Sequence, residues 1–180
     1  FNRKINKDRP YNTLFKLTEK SEKIYKTLKN KIFGENFKEK YGAVHIRSWF
    51  EYRHFSKTDK DIISSVKSVF NIFSDIKYWC LICDKVTLAN KITKEIPELL
   101  HNYSDNYLDN HSLCIVGSKR VKQDDILSFE KSLEDWLLIA KSDVSIITSG
   151  AFGETASSSW NNKRFVRNNK KVSNLKKESK

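Results

Sequence analysis

Apolar residues along the chain fall into two patterns, short continuous runs and longer stretches in which they recur every three or four positions. Continuous apolar runs of this length are typical of strands buried on both faces of a sheet. Four of them predict strands near 42–47, 78–83, 112–117 and 144–148, and the weaker run 163–167 predicts a fifth.

The stretches between these runs are amphipathic and predict helices. The clearest covers 58–73, where Thr58 and Asp61 have the spacing of a capping box and the apolar residues that follow share one helical face. The remaining predicted helices cover 13–33, 85–96, 124–141 and, as a short weak one, 153–160, while the polar stretch 101–111 predicts a loop.

Strands that alternate with helices and lack an exposed face predict a parallel sheet with helices on both faces. We therefore expect an α/β fold with a Rossmann-like parallel sheet. The predicted organisation is a basic helical segment over 1–40, a Rossmann-like domain over 41–168, and a basic tail over 169–180 that is expected to be disordered.

The net charge of +12 on 180 residues first suggests a nucleic-acid-binding protein. Residues 1–40 and 161–180 each carry +7, however, and the segment between them carries −2, so the excess is terminal. The chain has no methionine and no apolar run near the ~18 residues of a membrane span. It is expected to be a piece of a longer protein, with any membrane anchor outside it.

Two of the three cysteines, Cys80 and Cys83, form a C-x-x-C within a predicted strand. Residues three apart on a strand point to opposite faces, which does not suit a shared metal ion. The sequence therefore predicts no metal site, and leaves buried free thiols or one disulfide as alternatives.

Polar or small residues follow the predicted strands at their carboxyl ends, where ligands bind to parallel sheets. These positions are Arg47, Asp84, 117–118 and 148–150. His45 and Arg47 lie on the same face of their strand, and a guanidinium offers a rigid fork of donors to phosphate oxygens. Arg47 opposite the helix start in "SGAFGE" is a candidate diphosphate clamp, although a core histidine and a surface ion pair are the alternatives.

Two stretches resemble a known family. "GAVHIR" resembles the H-x-R strand of the GDP-fucose-dependent fucosyltransferases, the superfamily of α1,2-, α1,6- and protein O-fucosyltransferases. "EDWLLIAKSDVSIITSGAFGETA" resembles that superfamily's later motif, and about 100 residues separate the two, as in the family. The resemblance covers 41–160.

The resemblance implies the C-terminal, donor-binding half of a GT-B glycosyltransferase, which transfers fucose with inversion to a glycan or glycoprotein and needs no metal or other cofactor. It implies that Arg47 is catalytic, binding the β-phosphate of GDP-fucose and stabilising the departing GDP. It also implies a location in the Golgi or endoplasmic reticulum lumen. The other residues that we expect to bind the donor or shape its site are His45, Asp84, Asp135, Asp143, Ser149, Gly150, Ala151 and Phe152.

The chain departs from the family in two places. Ser48 stands where many relatives have a second arginine, and Gly150-Ala151 replaces a hydroxyl pair. No carboxylate is an obvious base for the acceptor, and the geometry of Glu51 is open. The alternatives are an inactive relative that still binds a nucleotide sugar, and a basic α/β module that binds nucleic acid, with "SWFEYRHF" stacking bases.

Overall fold

The computed structural model of the chain describes residues 18–70, 72–101, 123–148, 151–157 and 163–166. Within them lies a five-stranded sheet in the order β3-β2-β1-β4-β5, with every neighbouring pair parallel. Its strands are β1 Tyr41–Ile46, β2 Tyr78–Cys83, β3 Leu99–Leu100, β4 Val144–Ile147 and β5 Lys163–Val166. The predicted Rossmann-like parallel sheet is confirmed, and β1 is its central strand.

Helices connect and cover the strands. They are α1 Glu19–Phe33, α2 Ser48–Phe55, α3 Asp59–Phe70, α4 Val86–Glu95, α5 Gln123–Ala140 and α6 Ala151–Ser157. Alternate residues of β1 enter two different apolar clusters, Val44 with α3 and α4 and Ala43 with α1, α5 and α6. The helices therefore lie on both faces of the sheet, as predicted. No helix in the described ranges is long and apolar enough to cross a membrane.

Most predicted boundaries hold to within a few residues. The strands expected near 42–47, 78–83, 144–148 and 163–167 are found, while 112–117, most of the loop 101–111 and the tail 169–180 lie outside the described residues. The capping box forms, because the Thr58 N–H donates to Asp61 Oδ2 at 2.8 Å and the Asp61 N–H donates to Thr58 Oγ1 at 3.3 Å. Two elements were not predicted, the helix α2 and the two-residue strand β3.

The two cysteines of the C-x-x-C lie on opposite faces of β2, as predicted. Both are buried free thiols, Cys80 in the cluster with α5 and Cys83 in the cluster with α3. Burial raises the pKa of Cys80 far above its usual value, and the charge of Asp135 adds to the effect. These side chains are therefore part of the core.

Candidate functional site at the carboxyl edge

The carboxyl ends of β1 and β4 are tied together by two hydrogen bonds. The Thr148 N–H donates to the His45 carbonyl at 3.0 Å, continuing the ladder one residue beyond β4. The Arg47 N–H then donates to Thr148 Oγ1 at 2.9 Å. Because the hydroxyl satisfies a backbone donor just past the sheet, the backbone of Arg47 is fixed where β1 becomes α2.

Asp84, at the carboxyl end of β2, fixes the same residue from the other side. Its N–H donates to the Ile46 carbonyl at 3.4 Å, and its Oδ1 accepts a 2.7 Å hydrogen bond from the Ser48 N–H. Its Oδ2 lies 3.7 Å from Arg47 Nε, and the two side chains are 6% and 26% exposed. A carboxylate at the first N–H of α2 complements the helix dipole, so Asp84 stabilises the start of α2 and forms an ion pair with the guanidinium.

His45 is buried directly beneath this edge, with 6% of its surface exposed. Burial lowers the pKa of His45 to about 4; the negative charge of Asp84 opposes this shift and the positive charge of Arg47 adds to it. The imidazole is therefore neutral near pH 7. Its ring packs against Phe152 with the centroids 5.4 Å apart, and its Nδ1 has no hydrogen-bond partner in the described part of the chain.

Helix α6 packs against that histidine through Gly153. A Cβ at Gly153 would lie 2.8 Å from His45 Nδ1 and 3.3 Å from the Cβ of Ile147. The helix is also joined to α5, where Trp136 Nε1 donates to Thr155 Oγ1 at 3.3 Å. The close approach of α6 to β1 and β4 therefore depends on the absence of a side chain at Gly153.

Glu51 lies one turn after Arg47 in α2, and its side chain is 2% exposed. Lys57 Nζ donates to Glu51 Oε2 at 2.7 Å. The peptide after α2 turns back onto the same residue, because Ser56 takes a left-handed conformation with φ of 50° and the Lys57 N–H donates to the Glu51 carbonyl. Glu51 is thus a buried, ion-paired carboxylate that stabilises the end of α2, which is a poor arrangement for a base that must reach an acceptor.

A second group of charges lies beside α2. Tyr52 Oη donates to Asp59 Oδ1 at 2.6 Å, and Lys91 Nζ donates to the other oxygen of Asp59. The ammonium of Lys85, the residue after Asp84, lies 5.0 Å from the centroid of the Tyr52 ring. Burial and the bond to Asp59 raise the pKa of Tyr52 well above its usual value. Lys85 therefore brings a cation to the edge that already holds Arg47.

The other predicted site residues lie in different places. Asp143 is at the amino end of β4, where its Oδ2 accepts from the Tyr41 N–H at 3.0 Å, so it aligns the starts of β1 and β4 on the edge opposite Arg47. Asp135 is buried in α5, close enough to Cys80 to affect its pKa. Ser149 and Gly150 lie outside the described residues, as does the side chain of Ala151.

Sequence reasoning did not single out two residues that matter here. The sequence places Gly153 in the small-residue stretch "SGAFGE" and in the weak helix 153–160 without giving it a role of its own, and places Lys85 only at the start of the helix 85–96. The available signal for Gly153 was a glycine within a helix, since glycine there costs stability unless a close approach requires it.

Comparison with known proteins supports the fold and leaves the family open. No protein-family model and no curated protein sequence matches the chain. Its fold is similar to that of NodZ alpha-1,6-fucosyltransferase soaked with GDP-fucose, with a TM-score of 0.54 and 14% identity. The fucosyltransferase NodZ from Bradyrhizobium gives a TM-score of 0.50, also at 14% identity. Each match covers 81% of this chain and 43% of the other, so the chain spans less than half of their length.

At this identity the likeness defines a class of fold. The chain has a fucosyltransferase-like fold, built on a Rossmann-like parallel sheet with helices on both faces. The predicted resemblance to fucosyltransferases is thereby confirmed at the level of the fold.

Proposed function

We propose that the chain is the donor-binding half of a GT-B fucosyltransferase, and that it binds GDP-fucose at the carboxyl edge of its sheet. One observation carries the proposal. Arg47 lies at the carboxyl end of the central strand, with its backbone held by Thr148 and its guanidinium beside Asp84. This is the edge at which parallel sheets bind nucleotides. The similar fold of a fucosyltransferase soaked with GDP-fucose supports the choice of ligand.

The proposed chemistry is an inverting displacement at the anomeric carbon of fucose. The bond between that carbon and the β-phosphate oxygen breaks with its electron pair on the departing GDP, a bond to the acceptor hydroxyl oxygen forms on the opposite face, and the hydroxyl proton passes to solvent water. The GDP that departs gains negative charge, so a preorganised guanidinium stabilises the transition state more than the bound donor. Arg47 supplies this charge without a metal ion or other cofactor. The acceptor is a glycan or glycoprotein in the Golgi or endoplasmic reticulum lumen.

The charges around Arg47 suit one anionic ligand of modest size. Three cations at or near the edge have carboxylate partners at short range: Arg47 has Asp84, Lys57 has Glu51, and Lys91 has Asp59. The ammonium of Lys85 lies over an aromatic ring. Among these described residues the cations outnumber the carboxylates by one, which fits a nucleoside diphosphate better than the long phosphate backbone of a nucleic acid.

A second candidate function, binding of a nucleotide sugar without transfer, is favoured by the carboxylates. Asp84, whose Oδ2 lies 3.7 Å from Arg47 Nε, and Glu51, one turn further along the chain, both lie in ion pairs with low exposure. Neither is placed as a base for an acceptor hydroxyl. In this alternative Arg47 still binds the diphosphate, and only the transfer step is lost.

The experiment is calorimetry of the chain with GDP-fucose, GDP and guanosine. We expect GDP-fucose and GDP to bind and guanosine to bind at least tenfold more weakly, because the diphosphate contact is missing. Arg47→Ala and Arg47→Lys should each weaken GDP binding at least tenfold, since lysine lacks the forked donors. Lys67→Gln is the matched control, because it removes a positive charge from a remote, exposed ion pair with Glu95.

Three outcomes separate the candidates. Loss of GDP binding in Arg47→Ala, with unchanged circular dichroism, supports a donor site, and release of fucose from GDP-fucose onto an acceptor by the complete enzyme supports transfer. Binding without any transfer supports the second candidate. Salt-dependent binding of RNA or DNA, with no affinity for GDP, would contradict both and restore the nucleic-acid alternative.

A further inference from the structure

We propose that His45 is a positioning residue, whose imidazole fills the space left by Gly153 and holds α6 against the carboxyl ends of β1 and β4 without contacting the ligand. The proposal rests on the proposed function for its consequence in binding. Its structural part depends only on the packing of these two residues, which can be tested separately.

The first support is steric. The virtual Cβ of Gly153 would lie 2.8 Å from His45 Nδ1, a separation that real side chains do not tolerate, and 3.3 Å from the Cβ of Ile147. His45 and Ile147 are register partners on β1 and β4. His45 and Ile147 therefore leave no room for a side chain at position 153. We call this packing of Gly153 against His45 and Ile147 the seat.

The second support is the chemistry of the ring. Only 6% of His45 is exposed, and its Nδ1 is fully buried, so a phosphate or a sugar hydroxyl could approach the ring only through Nε2. Its Nδ1 faces the Gly153 backbone without a hydrogen bond, and its face packs against Phe152. Burial holds the imidazole neutral near pH 7, so it adds no charge for a diphosphate.

The third support is the path from this seat to Arg47. The His45 carbonyl accepts from the Thr148 N–H, and Thr148 Oγ1 accepts from the Arg47 N–H. A shift of the His45 ring or of Ile147 would therefore move Thr148, whose hydroxyl fixes the backbone of Arg47. Packing at Gly153 and the position of Arg47 are linked through two hydrogen bonds.

Two measurements test the proposal, and the first is binding. His45→Phe keeps an aromatic ring in the seat and removes both nitrogens. We expect the Kd for GDP to rise less in His45→Phe than in His45→Ala, because phenylalanine still packs against Gly153. We expect Gly153→Ala to raise it at least tenfold, although alanine is the better helix former. A His45→Phe variant that folds normally and loses GDP binding as strongly as Arg47→Ala would overturn the proposal, because the nitrogens would then contact the ligand.

The second measurement is chemical unfolding of Gly153→Ala, His45→Ala and the double variant. We expect His45→Ala to relieve the clash, so the double variant should be more stable than the two single effects predict when added. If Gly153→Ala does not fold, refolding of the double variant is the same result. The control is Gly34→Ala, whose cost arises from a φ of 94° with no atom within 4 Å, and which should add normally to His45→Ala.

The two measurements also separate this proposal from the proposed function. If the wild type does not bind GDP, the proposed function is wrong, and the unfolding cycle still decides whether His45 and Gly153 are coupled. If the unfolding free energies of Gly153→Ala and His45→Ala are additive, the proposed packing of Gly153 against His45 is wrong, even if GDP binds.

Discussion

Acidification should destabilise this chain in a window that His45 sets. The pKa of this side chain falls from an ordinary 6.5 to about 4 on folding, mainly because the ring is buried. Between pH 6.5 and about pH 4, His45 is protonated in the unfolded chain and neutral in the folded chain. The contribution of His45 to the free energy of unfolding is therefore constant above about pH 6.5 and falls as the pH is lowered towards 4. Burial also lowers the pKa of His101, whose contribution falls in the same direction in the wild type and in variants of His45 alike. At 1.36 kcal/mol for each pH unit, we expect a loss of about 2 kcal/mol by pH 5 and about 3 kcal/mol by pH 4.

Urea unfolding of the wild type and His45→Phe at pH 7, 6, 5 and 4.5 measures this effect. The variant cannot titrate at position 45, so the difference between the two curves should shift by about 2 kcal/mol between pH 7 and pH 5. Hydrogen bonds from neighbouring side chains lower the pKa of Asp59, Asp61 and Glu95, so these groups lose their contribution as the pH falls through their ordinary values of 3.8 for the aspartates and 4.5 for Glu95, in both proteins alike. Parallel curves of unfolding free energy against pH would show that the His45 ring is protonated as readily in the folded as in the unfolded chain. The ring would then be hydrated in the folded state, and the prediction would be wrong.

Three further changes have expected outcomes. Asp84→Asn should lower the free energy of unfolding by about 0.5–2 kcal/mol in urea titrations, because asparagine can still accept from the Ser48 N–H but brings no negative charge to the start of α2 or to Arg47; an unchanged midpoint would contradict this stabilising role of Asp84. Lys85→Gln should weaken GDP binding about threefold to tenfold in calorimetry, with an unaltered melting temperature, and equal affinity would remove it from the site. Gly42→Ala should destabilise by about 1–3 kcal/mol, since its Cβ would lie 2.4 Å from the Trp79 ring, and a Trp79→Leu background should reduce that cost.

The sheet could be predicted because a strand covered on both faces must be apolar along its length. Trp79 to Cys83 are all buried, so the sequence contains a run that water-exposed structure would not tolerate. The strand β3 could not be predicted in this way, because it has only two residues and owes its conformation to pairing with Trp79 and Cys80. Short elements of this kind are set by tertiary contacts and leave little periodicity behind.

Helix α2 was missed for a related reason. Its sequence, "SWFEYRHF", mixes aromatic and charged residues without a clear apolar face, and its first N–H is satisfied by Asp84, 36 residues further along the chain. Nothing near Ser48 in the sequence indicates that cap. The helix begins where the pairing of β1 with β2 brings the carboxylate of Asp84 next to Ser48. The sequence predicts the two strands but not this contact.

The candidate site was predictable in position and less so in the roles of its members. Parallel topology places Arg47 and Asp84 at one edge, because both follow their strands directly. Whether a carboxylate there binds a ligand or braces an arginine depends on a separation of a few ångströms, which spacing along a chain does not encode. The position of Asp143, by contrast, follows from the predicted strand, since a residue at the start of β4 must lie on the opposite edge from Arg47.

The pairing of Arg47 with Asp84 bears on how such a site could favour catalysis over tight binding. A guanidinium whose Nε lies 3.7 Å from a carboxylate is restricted in orientation by the ion pair and shares its charge, so the bound donor gains less from it than from an unpaired arginine. The departing diphosphate carries more charge than the donor, and it finds donors that are already oriented. Because only the excess stabilisation of the transition state accelerates transfer, a brace that limits ground-state affinity and preserves orientation works in the direction of rate. In a protein that only binds the donor, the same ion pair would lower affinity and bring no gain in rate. The Arg47–Asp84 pair therefore favours transfer, whereas the lack of an obvious base among the described carboxylates beside it favours binding alone.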